Sequence, residues 1–403
     1  TSSGYAIRTH GLISELNSQQ FNLHTVLRYG YPLDRNDFRL KIIPNQEKID
    51  NVDYHFSHSE RDRNLINYQD IYNFNSIEKY LRRSISSIFS FSQKMKPEII
   101  HSASNFVVGM AGAEAAKALG IPSIYEIRGF WHLTQSTKRL GYEGSDHYKL
   151  SERLEIQTAK MSDHVFTITK ALKDILIENG ISESKITVLP NAVDPSKFKI
   201  SKKDKRLEKE LDFQDKVVIG YIGSFVKYEG LDLLLEACSI LKNKLGDCFR
   251  LLLVGDGDMM TQLRDMARFL QLEDIIIFTG RVDHQEVNRY YSLIDIAPLP
   301  RKGFRVCELV SPLKPFEAMG AGKVLITSSV QALAEIVEDG KTGLIFEKDN
   351  AEDLADKLEL VILDKELRKQ IGNNANKWVI ENHSWEVISQ RVINVYQKLT
   401  EEK

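Results

Sequence analysis

The sequence lacks the features that mark several classes of protein. Its 403 residues include only three cysteines, Cys238, Cys248 and Cys307, and none stands in a C-x-x-C pair or at cysteine/histidine metal spacing. This pattern indicates reduced thiols of a cytoplasmic protein and excludes a disulfide framework or a cysteine metal site. No run approaches the roughly 18 to 20 apolar residues of a membrane span. We therefore expect a cytoplasmic chain that is soluble or peripheral to the inner membrane.

An excess of charge of one sign is also missing. Lys and Arg number 54 against 56 Asp and Glu, so the formal net charge is −2. A balanced chain has no overall field for nucleic acid or for a membrane surface, so any anion site must be local. The composition, with 42% hydrophobic and 27% charged residues, is that of a globular protein. A chain of this length predicts two domains.

Short buried strands followed by a turn and a helix recur along the chain, which indicates an α/β fold with parallel sheets. One such unit, Val217 to Ala237, has a glycine turn but no G-x-G-x-x-G pattern, which argues against NAD. The turn Asp256-Gly257-Asp258 has the look of a metal-binding D-x-D, but we interpret it as a glycine turn. The carboxyl ends of parallel strands line the ligand crevice of such sheets.

The most informative stretch runs from Ile296 to Ser328. It predicts a strand end, a cationic loop and a helix with Ser311 as N-cap and Pro312 at the first helical position. Leu313 and Lys314 would then present free N–H groups beside the positive end of the helix dipole, where phosphate binds. Glu317, one turn behind, could accept hydrogen bonds from a ribose diol. The alternative is an ordinary capped core helix.

This stretch, with its PLKP-EAM sequence after a cationic loop, resembles the donor-binding segment of family 4 retaining glycosyltransferases, in the branch that builds bacterial surface polysaccharides. The resemblance covers nearly the whole chain. It implies the GT-B fold, with two Rossmann-like domains facing each other across a cleft and a C-terminal helix that crosses back to the first. We expect an acceptor domain at 1–198, a linker at 199–216, a nucleotide-sugar domain at 217–382 and the returning helix at 383–403.

The implied activity is transfer of a hexose or N-acetylhexosamine, with retention, from a nucleotide sugar to a saccharide, lipid-linked or polymer acceptor. A UDP-sugar is the donor that the branch suggests, and capsule or lipopolysaccharide synthesis is the setting. The resemblance implies neither a cofactor nor a metal. Three alternatives stay open: a GT-B epimerase, an NAD-dependent enzyme that would need the missing fingerprint, and a sugar-binding module without catalysis.

The resemblance also assigns the donor site, with two departures. Ser224 and Glu229 stand where relatives commonly carry arginine and lysine for the diphosphate, so we expect loop cations to replace them, with Lys227 as an alternative. Relatives carry a second glutamate at the place of Leu309; either Glu308 takes that role with the donor sugar or the role is vacant. The predicted donor-binding residues are Gly223, Ser224, Lys227, Gly255, Arg281, Val282, Arg301, Arg305, Ser311, Leu313 and Glu317, with Lys302 as a further loop cation and Glu308 and Lys314 as catalytic residues.

Polar residues also follow strands of the first half. Glu126 and Arg128 are predicted catalytic residues, the first orienting an acceptor hydroxyl and the second holding a phosphate or sugar; alternatively they pair with each other structurally. His132 is given no role, because this branch departs from the family at the usual acceptor-side histidine. The predicted acceptor-binding residues are Ser3, Gly4, His101, Ser104 and Asn105, and His101 could instead be a satisfied core histidine.

Two further expectations concern the N-terminal half. In the resembling family a central strand precedes the loop that opens this chain, so we expect the chain to be a trimmed part of a longer one, with further domains a possibility. The segment Ile77 to Met95 has the spacing of a basic amphipathic helix. Such a helix can lie on a membrane surface, but a surface helix packed on the domain core is the favoured interpretation.

Overall fold

The computed structural model describes residues 4–32, 44–57, 74–283 and 285–401, which fall into two compact α/β units. The first unit contains Tyr5–Pro190 together with Ser389–Lys403, and the second contains Asn191–Ile388. The last helix therefore begins in the second unit and continues in the first. Each unit is built on its own parallel sheet.

The first unit has a four-stranded parallel sheet in the order β4-β5-β6-β7 and a small three-stranded sheet in the order β1-β3-β2. Its strands are β1 (Thr25–Val26), β2 (Gln46–Ile49), β3 (Val52–His55), β4 (Ile100–Ala103), β5 (Ser123–Ile127), β6 (His164–Thr167) and β7 (Ile186–Val188). Its helices are α1 (Gly4–Ser18), α2 (Phe74–Met95), α3 (Phe106–Leu119), α4 (Trp131–Ser136), α5 (Asp146–Met161) and α6 (Lys170–Glu178).

Helix α2 packs its apolar side on the core of this unit. Tyr80 is buried in a cluster with Phe106 and Val107, and Ile77 and Leu81 pack against the same cluster. These α2 residues recur at the three- and four-residue spacing of one helical face. This side of α2 therefore packs on the domain core, as the favoured interpretation predicted.

The second unit has a six-stranded parallel sheet in the order β10-β9-β8-β11-β12-β13. Its strands are β8 (Val217–Ile222), β9 (Phe249–Val254), β10 (Ile276–Gly280), β11 (Ile296–Leu299), β12 (Val324–Ser328) and β13 (Leu344–Phe346). Its helices are α7 (Lys205–Glu210), α8 (Leu231–Leu245), α9 (Met260–Phe269), α10 (Val287–Leu293), α11 (Arg305–Leu309), α12 (Lys314–Gly320), α13 (Gln331–Ala334), α14 (Ala351–Leu363) and α15 (Lys365–His383), followed by α16 (Trp385–Glu401). The strands are almost wholly buried, as expected for a sheet covered on both faces.

The segment that the sequence suggested as a linker, 199–216, is integrated into the second unit. It contains α7, which is capped by the Asp204 side chain. Asp204 also bonds Arg289, and Lys203 bonds Asp295 at 2.7 Å. The change from the first unit to the second falls earlier, between Pro190 and Asn191.

Three predicted elements differ from the structure. The alternating residues Phe21 to Gly30 predict a strand, but only the two residues of β1 form one. The helix expected from Ser311 begins instead at Lys314, with Leu313 at the N-cap and no side-chain cap. The reason is tertiary: Arg301 donates to the carbonyl of Val310 and Asn191 donates to the carbonyl of Ser311, and this part of the chain is not helical. The third difference is α11, a short helix inside the loop expected to be irregular.

Across the described ranges, no helix is both long enough and apolar enough to cross a membrane.

Candidate functional site

The candidate site lies at the carboxyl edge of the second unit's sheet. From β8 the chain moves outward through β9 to β10, then returns to place β11 on the other side of β8 and continues to β12 and β13. Such a reversal leaves a crevice between the two central strands at their carboxyl ends, where open α/β sheets bind ligands. The loops that meet here are the one from β8 to α8 and the one from β11 to α11.

Glycines allow the loop after β8 to touch the loops after β9 and β11 backbone to backbone. A Cβ atom on Gly255 would lie 1.8 Å from the carbonyl oxygen of Gly223, and one on Gly230 would lie 1.8 Å from that of Pro300. Gly230 also has φ +72°, which side chains rarely adopt. The predicted donor residues Gly223 and Gly255 are thus brought into contact, and a side chain at either contact would force the loops apart.

A buried charge cluster joins the same two loops. The Oε1 atom of Glu229 accepts from Nη2 of Arg301 at 2.7 Å and lies 3.0 Å from Nζ of Lys314. The Glu229 side chain is 3% exposed, and that of Lys314 is 19% exposed. The Lys314 ammonium also lies 5.0 Å from the ring centre of Tyr221. We refer to Glu229, Arg301 and Lys314 as the donor-edge cluster.

Opposing effects set the protonation of this cluster. Burial by itself would raise the pKa of Glu229, but the charges of Arg301 and Lys314 outweigh it and lower the pKa to about 2. Burial lowers the pKa of Lys314, against the opposing pull of Glu229. The carboxylate is therefore ionised at neutral pH, and the two cations leave the cluster with one net positive charge when all three groups are charged.

The predicted loop cations are not equivalent. Arg301 is buried, with Nη1 on the Val310 carbonyl and Nη2 on Glu229, and Lys302 is bonded to Asp232 at 2.5 Å. Arg305 opens α11 and is exposed, and no side-chain partner is seen for it in the part of the chain that the structure describes. Lys227, the alternative, is also exposed, as is Ser224. Acidic residues of the neighbouring loop thus engage Arg301 and Lys302 and leave Arg305 available.

Helix α12 places Glu317 beside Tyr291. The Tyr291 hydroxyl donates to Oε2 of Glu317 at 3.3 Å, and burial raises the pKa of Glu317 although this bond and the Lys314 charge lower it. Ser311 is buried and holds Asn191 through its carbonyl, so it is not a cap. Leu313 stands at the N-cap. Because α12 has only seven residues, its side chains matter more here than its dipole.

Glu308 is engaged by other residues. Its Oε1 atom accepts from Nζ of Lys348 at 2.6 Å, and its Oε2 atom accepts from the backbone N–H of Gln331 at 2.8 Å. Both oxygens therefore have partners at the start of α13 and in the loop after β13. Of the two alternatives left by the sequence, this arrangement favours a vacant role at the second glutamate position.

The remaining predicted donor residues follow β10. Arg281 is exposed and Val282 half-buried, at the same edge of the parallel sheet as the donor-edge cluster. The Asp256-Gly257 turn is a packed glycine turn. The backbone N–H of Phe225 donates to the carbonyl of Asp256, and a Cβ atom on Gly257 would lie 2.3 Å from the carbonyl oxygen of Phe225. Among the described residues, no group of three or more His, Cys, Asp or Glu side chains is placed to hold a metal ion.

In the first unit the predicted catalytic pair is held in a buried ion-pair network at the ends of β4 and β5. Oε2 of Glu126 accepts from Nη2 of Arg128 at 2.6 Å, and Oε1 accepts from Arg8 at 2.7 Å. Arg8 also donates to the carbonyls of Leu189 and Pro190. Burial would raise the pKa of Glu126, but the charges of Arg128 and Arg8 hold it well below its usual value. We refer to Glu126, Arg8 and Arg128 as the acceptor-edge cluster.

This geometry corresponds to the structural alternative for Glu126 and Arg128, which pair with each other. Arg128 is further fixed by hydrogen bonds from Nη1 to the Tyr5 carbonyl and to the Thr9 hydroxyl. An acceptor hydroxyl has little access to a carboxylate that is 1% exposed and engaged on both oxygens. Arg8, a buried residue of α1, completes the cluster.

Two of the predicted acceptor-binding residues, His101 and Ser104, contact this cluster. His101 bonds the Tyr396 hydroxyl through Nδ1 at 2.8 Å, and its Nε2 atom is 3.6 Å from Glu126. The Ser104 hydroxyl accepts from the Arg128 N–H at 2.7 Å, and Asn105 is buried at the N-cap of α3. Gly4 is the exposed first residue of α1. Ser3 lies outside the described residues.

Several residues that the site uses carried no recognisable signal. Tyr221 lies inside a buried strand and Tyr291 inside α10, where each reads as a core aromatic. Their contacts with Lys314 and Glu317 span long sequence separations, and no local spacing indicates them.

Two family matches together cover most of the chain. Residues 13–197 match the family described as Glycosyltransferase Family 4, and residues 202–378 match the family described as Glycosyl transferases group 1. The chain is 25% identical over 240 residues to an uncharacterized glycosyltransferase, MJ1069, of Methanocaldococcus jannaschii, covering 60% of this chain and 59% of that relative. It therefore spans less than two thirds of that relative.

A second relative and two solved structures extend this result. The capsular polysaccharide biosynthesis glycosyltransferase CapM of Staphylococcus aureus is 26% identical, covering 79% of this chain and 82% of CapM. Sucrose-phosphate synthase of Thermosynechococcus elongatus superposes with a TM-score of 0.77 at 18% identity, over 100% of this chain and 94% of that one. HepE of Anabaena, solved with UDP, superposes with a TM-score of 0.65 at 19% identity, over 78% of this chain and 82% of HepE. The chain therefore has the GT-B fold, and the two family matches support a family 4-like glycosyltransferase.

Proposed function

We propose that this chain transfers a hexose or N-acetylhexosamine, with retention of configuration, from a UDP-sugar to a saccharide, lipid-linked or polymer acceptor. The observation that carries the proposal is the donor-edge cluster, which leaves one net positive charge between the two central strands of a Rossmann-like sheet. A departing diphosphate needs positive charge at such a crevice. The choice of UDP is supported by HepE, which was solved with UDP.

Charge stabilisation is the main contribution that the protein makes to this reaction. The bond between the anomeric carbon and the β-phosphate oxygen lengthens first, so negative charge grows on the diphosphate while the sugar becomes oxocarbenium-like. Lys314, and Arg305 from α11, would face that charge. Fixed cations in a partly dry site are worth far more than the same charges in water. We propose that these side chains carry the task without a divalent metal.

The new bond forms on the face that the diphosphate leaves. The acceptor oxygen attacks the anomeric carbon, its proton passes to the departing phosphate oxygen, and the products are UDP and the glycosylated acceptor. This route retains configuration without a covalent enzyme intermediate. It also fits the carboxylates of Glu126, which is buried, and Glu308, which is half-buried, because both oxygens of each are already engaged.

Glu317 would bind the ribose of the donor. A carboxylate with a hydrogen-bond partner on one oxygen, here Tyr291, can accept hydroxyl protons on the other. The acceptor would use the first unit near Ser104 and Asn105. A role in making a bacterial surface polysaccharide is supported by the similarity to CapM, and we propose it as the setting of the reaction.

The first test is a nucleotide screen on the purified chain. We expect UDP and a UDP-sugar to raise the melting temperature more than GDP, ADP or their sugars do, and we expect EDTA to leave that shift unchanged. Incubation with the stabilising UDP-sugar and a saccharide acceptor should release UDP and give a product whose anomeric configuration matches the donor. Stabilisation by no nucleotide would overturn the proposal.

The same incubation separates the alternatives. Free epimerised sugar produced without an acceptor would instead identify an epimerase. Binding without release of UDP under any acceptor tried would identify a binding module. Either result contradicts the proposed transfer.

A further inference from the structure

We infer that Glu229 is a positioning residue that holds the Lys314 ammonium in place for the β-phosphate of a nucleoside diphosphate. The inference rests on the proposed function, and it adds a role for an acidic residue in a site that must bind an anion. Glu229 itself would touch no part of the donor.

The hydrogen-bonding pattern divides the cluster into an anchor and a working group. Arg301 is fixed at two points, on the Val310 carbonyl at 2.8 Å and on Oε1 of Glu229 at 2.7 Å. The guanidinium in turn fixes the carboxylate, and the ring of Tyr228 lies 5.7 Å from its central carbon. Arg301 is 5% exposed, so it is a poor candidate for direct contact with a ligand. It acts as the anchor.

Lys314 has hydrogen-bonding capacity to spare. An ammonium group carries three protons, and the Glu229 carboxylate, with Oε1 at 3.0 Å, accounts for one of them. The Tyr221 ring, 5.0 Å away, accepts no conventional hydrogen bond but favours the charge. Among the described residues no other partner of the ammonium is seen. The remaining donors, on a side chain that is 19% exposed, are available to an anion.

The path of the lysine side chain places this group beside the loop after β8. A Cβ on Gly223 would lie 2.3 Å from Cε of Lys314, so the lysine stem occupies the space that a side chain at 223 would need. Without Glu229, a flexible four-carbon stem would carry its charge toward solvent. The carboxylate therefore holds the ammonium over the backbone of Gly223, where a phosphate can approach.

A buried acid with unused capacity supports this arrangement. The Oε2 atom of Glu229 and the Nε atom of Arg301 are buried and have no hydrogen-bond partner among the described residues. Buried polar groups normally have partners, so we expect an ordered water, and not the donor itself, to complete Oε2 of Glu229.

The test compares UDP with UMP, which lacks the β-phosphate. Dissociation constants of both are measured by calorimetry for the wild type, Lys314→Ala, Glu229→Gln and the double variant. We expect each single variant to reduce the preference for UDP over UMP by about tenfold, in the range seen when groups that orient a ligand-binding residue are removed. The double variant should lose no more than Lys314→Ala alone, because Glu229 acts through Lys314.

Two further variants protect the test against misfolding. Glu229→Asp keeps the charge and should restore most of the preference, and it replaces Glu229→Gln if that variant melts below the assay temperature. Asp274→Asn is the matched control, because it breaks an ion pair with Lys242 just before β10, at the opposite edge of the same sheet. It should leave the preference for UDP unchanged.

The outcomes separate the inference from the proposed function. Additive losses in the double variant, or a Glu229→Gln variant that melts earlier but keeps the full preference for UDP, would overturn the positioning role while leaving the nucleotide site intact. A wild type that binds neither UDP nor UMP would overturn the proposed function itself.

Discussion

The two units solve the same electrostatic problem differently. Each holds one buried glutamate between two cations at the carboxyl edge of a parallel sheet, Glu229 in the donor-edge cluster and Glu126 in the acceptor-edge cluster. Around Glu126 both carboxylate oxygens are engaged and both arginines are fastened to backbone carbonyls. Around Glu229 a single oxygen receives both cations, and Lys314 retains free donors.

The difference indicates which cluster is structural and which is ready for a ligand. A closed network satisfies its own charges, so removing one member leaves others buried and unpaired. Each cluster has an arginine whose Nε atom lacks a partner among the described residues, so the difference lies in the carboxylate oxygens and in the spare donors of Lys314. Charge alone would not distinguish them, because each sums to one net positive charge.

The largest expected effect is on the closed cluster. Glu126→Ala leaves Arg8 and Arg128 buried without their counter-charge, and we expect the free energy of unfolding to fall by about 3 to 5 kcal/mol in urea titrations. Glu183→Ala, which breaks an exposed pair with Lys173 in the same unit, is the control and should not shift the curve measurably. A loss for Glu126→Ala no greater than that of the control would show that the network is not closed.

The next effect concerns the donor edge. Glu317→Ala removes the carboxylate that would bind the ribose. We expect kcat/KM for the UDP-sugar to fall by a factor that corresponds to a loss of about 2 to 4 kcal/mol of transition-state stabilisation. Thermal melting should confirm that the variant is folded. Tyr291→Phe, which removes only the hydroxyl bonded to Glu317, should lose much less. Near-wild-type turnover of a folded Glu317→Ala would exclude Glu317 from the site.

A third carboxylate, Glu155, extends the comparison because, within the described residues, no cation is seen to pair with it. Glu155 is 1% exposed, bonded by the Tyr125 hydroxyl and the Phe106 N–H, and burial raises its pKa to about 7 although these bonds lower it. The folded state therefore binds a proton more tightly than the unfolded chain. The resulting stability is fully present below the unfolded pKa of about 4.5 and is lost as the pH rises through about 7.

We expect the free energy of unfolding to fall by at most about 3 kcal/mol over this pH range, from the difference between the folded and unfolded pKa of Glu155. Glu155→Gln should remove that pH dependence between about 4.5 and 8 in urea titrations, and Glu152→Gln on the same helix is the control. An unchanged slope in Glu155→Gln would show that Glu155 titrates normally.

The smallest effect tests the two arginines of the loop after β11. Arg305→Ala removes an exposed cation with no seen partner among the described residues, and we expect roughly a fivefold weaker binding of UDP with unchanged stability. Arg301→Ala is the contrast, because it removes the buried anchor of Glu229 and should lower both the melting temperature and the preference for UDP over UMP. If Arg305→Ala leaves the affinity for UDP unaltered, Arg305 does not take the place of the arginine that relatives carry at position 224.

Much of the fold could be predicted because its signals are local. The segment Val217 to Ala237, predicted as a buried strand, a glycine turn and a helix, corresponds to β8, its loop and the first half of α8, and the parallel α/β class followed from such units. The start of α12 was predicted wrongly because the cap signal of Ser311 and Pro312 is local, whereas the bonds from Arg301 and Asn191 are not. The interpretation of 199–216 as a linker followed from its polarity, and its pairing with α10 could not be read from it.

By itself the sequence determined the candidate residues of the donor edge, because turn glycines, prolines and polar strand ends are encoded over a few neighbouring positions. Only the tertiary structure decided which of them are available. Glu229 and Arg301 are 72 positions apart, and they meet because β11 lies beside β8 in the sheet. Strand order is set by packing over the whole unit, so the pairing that engages Arg301 and leaves Lys314 with free donors has no local signal.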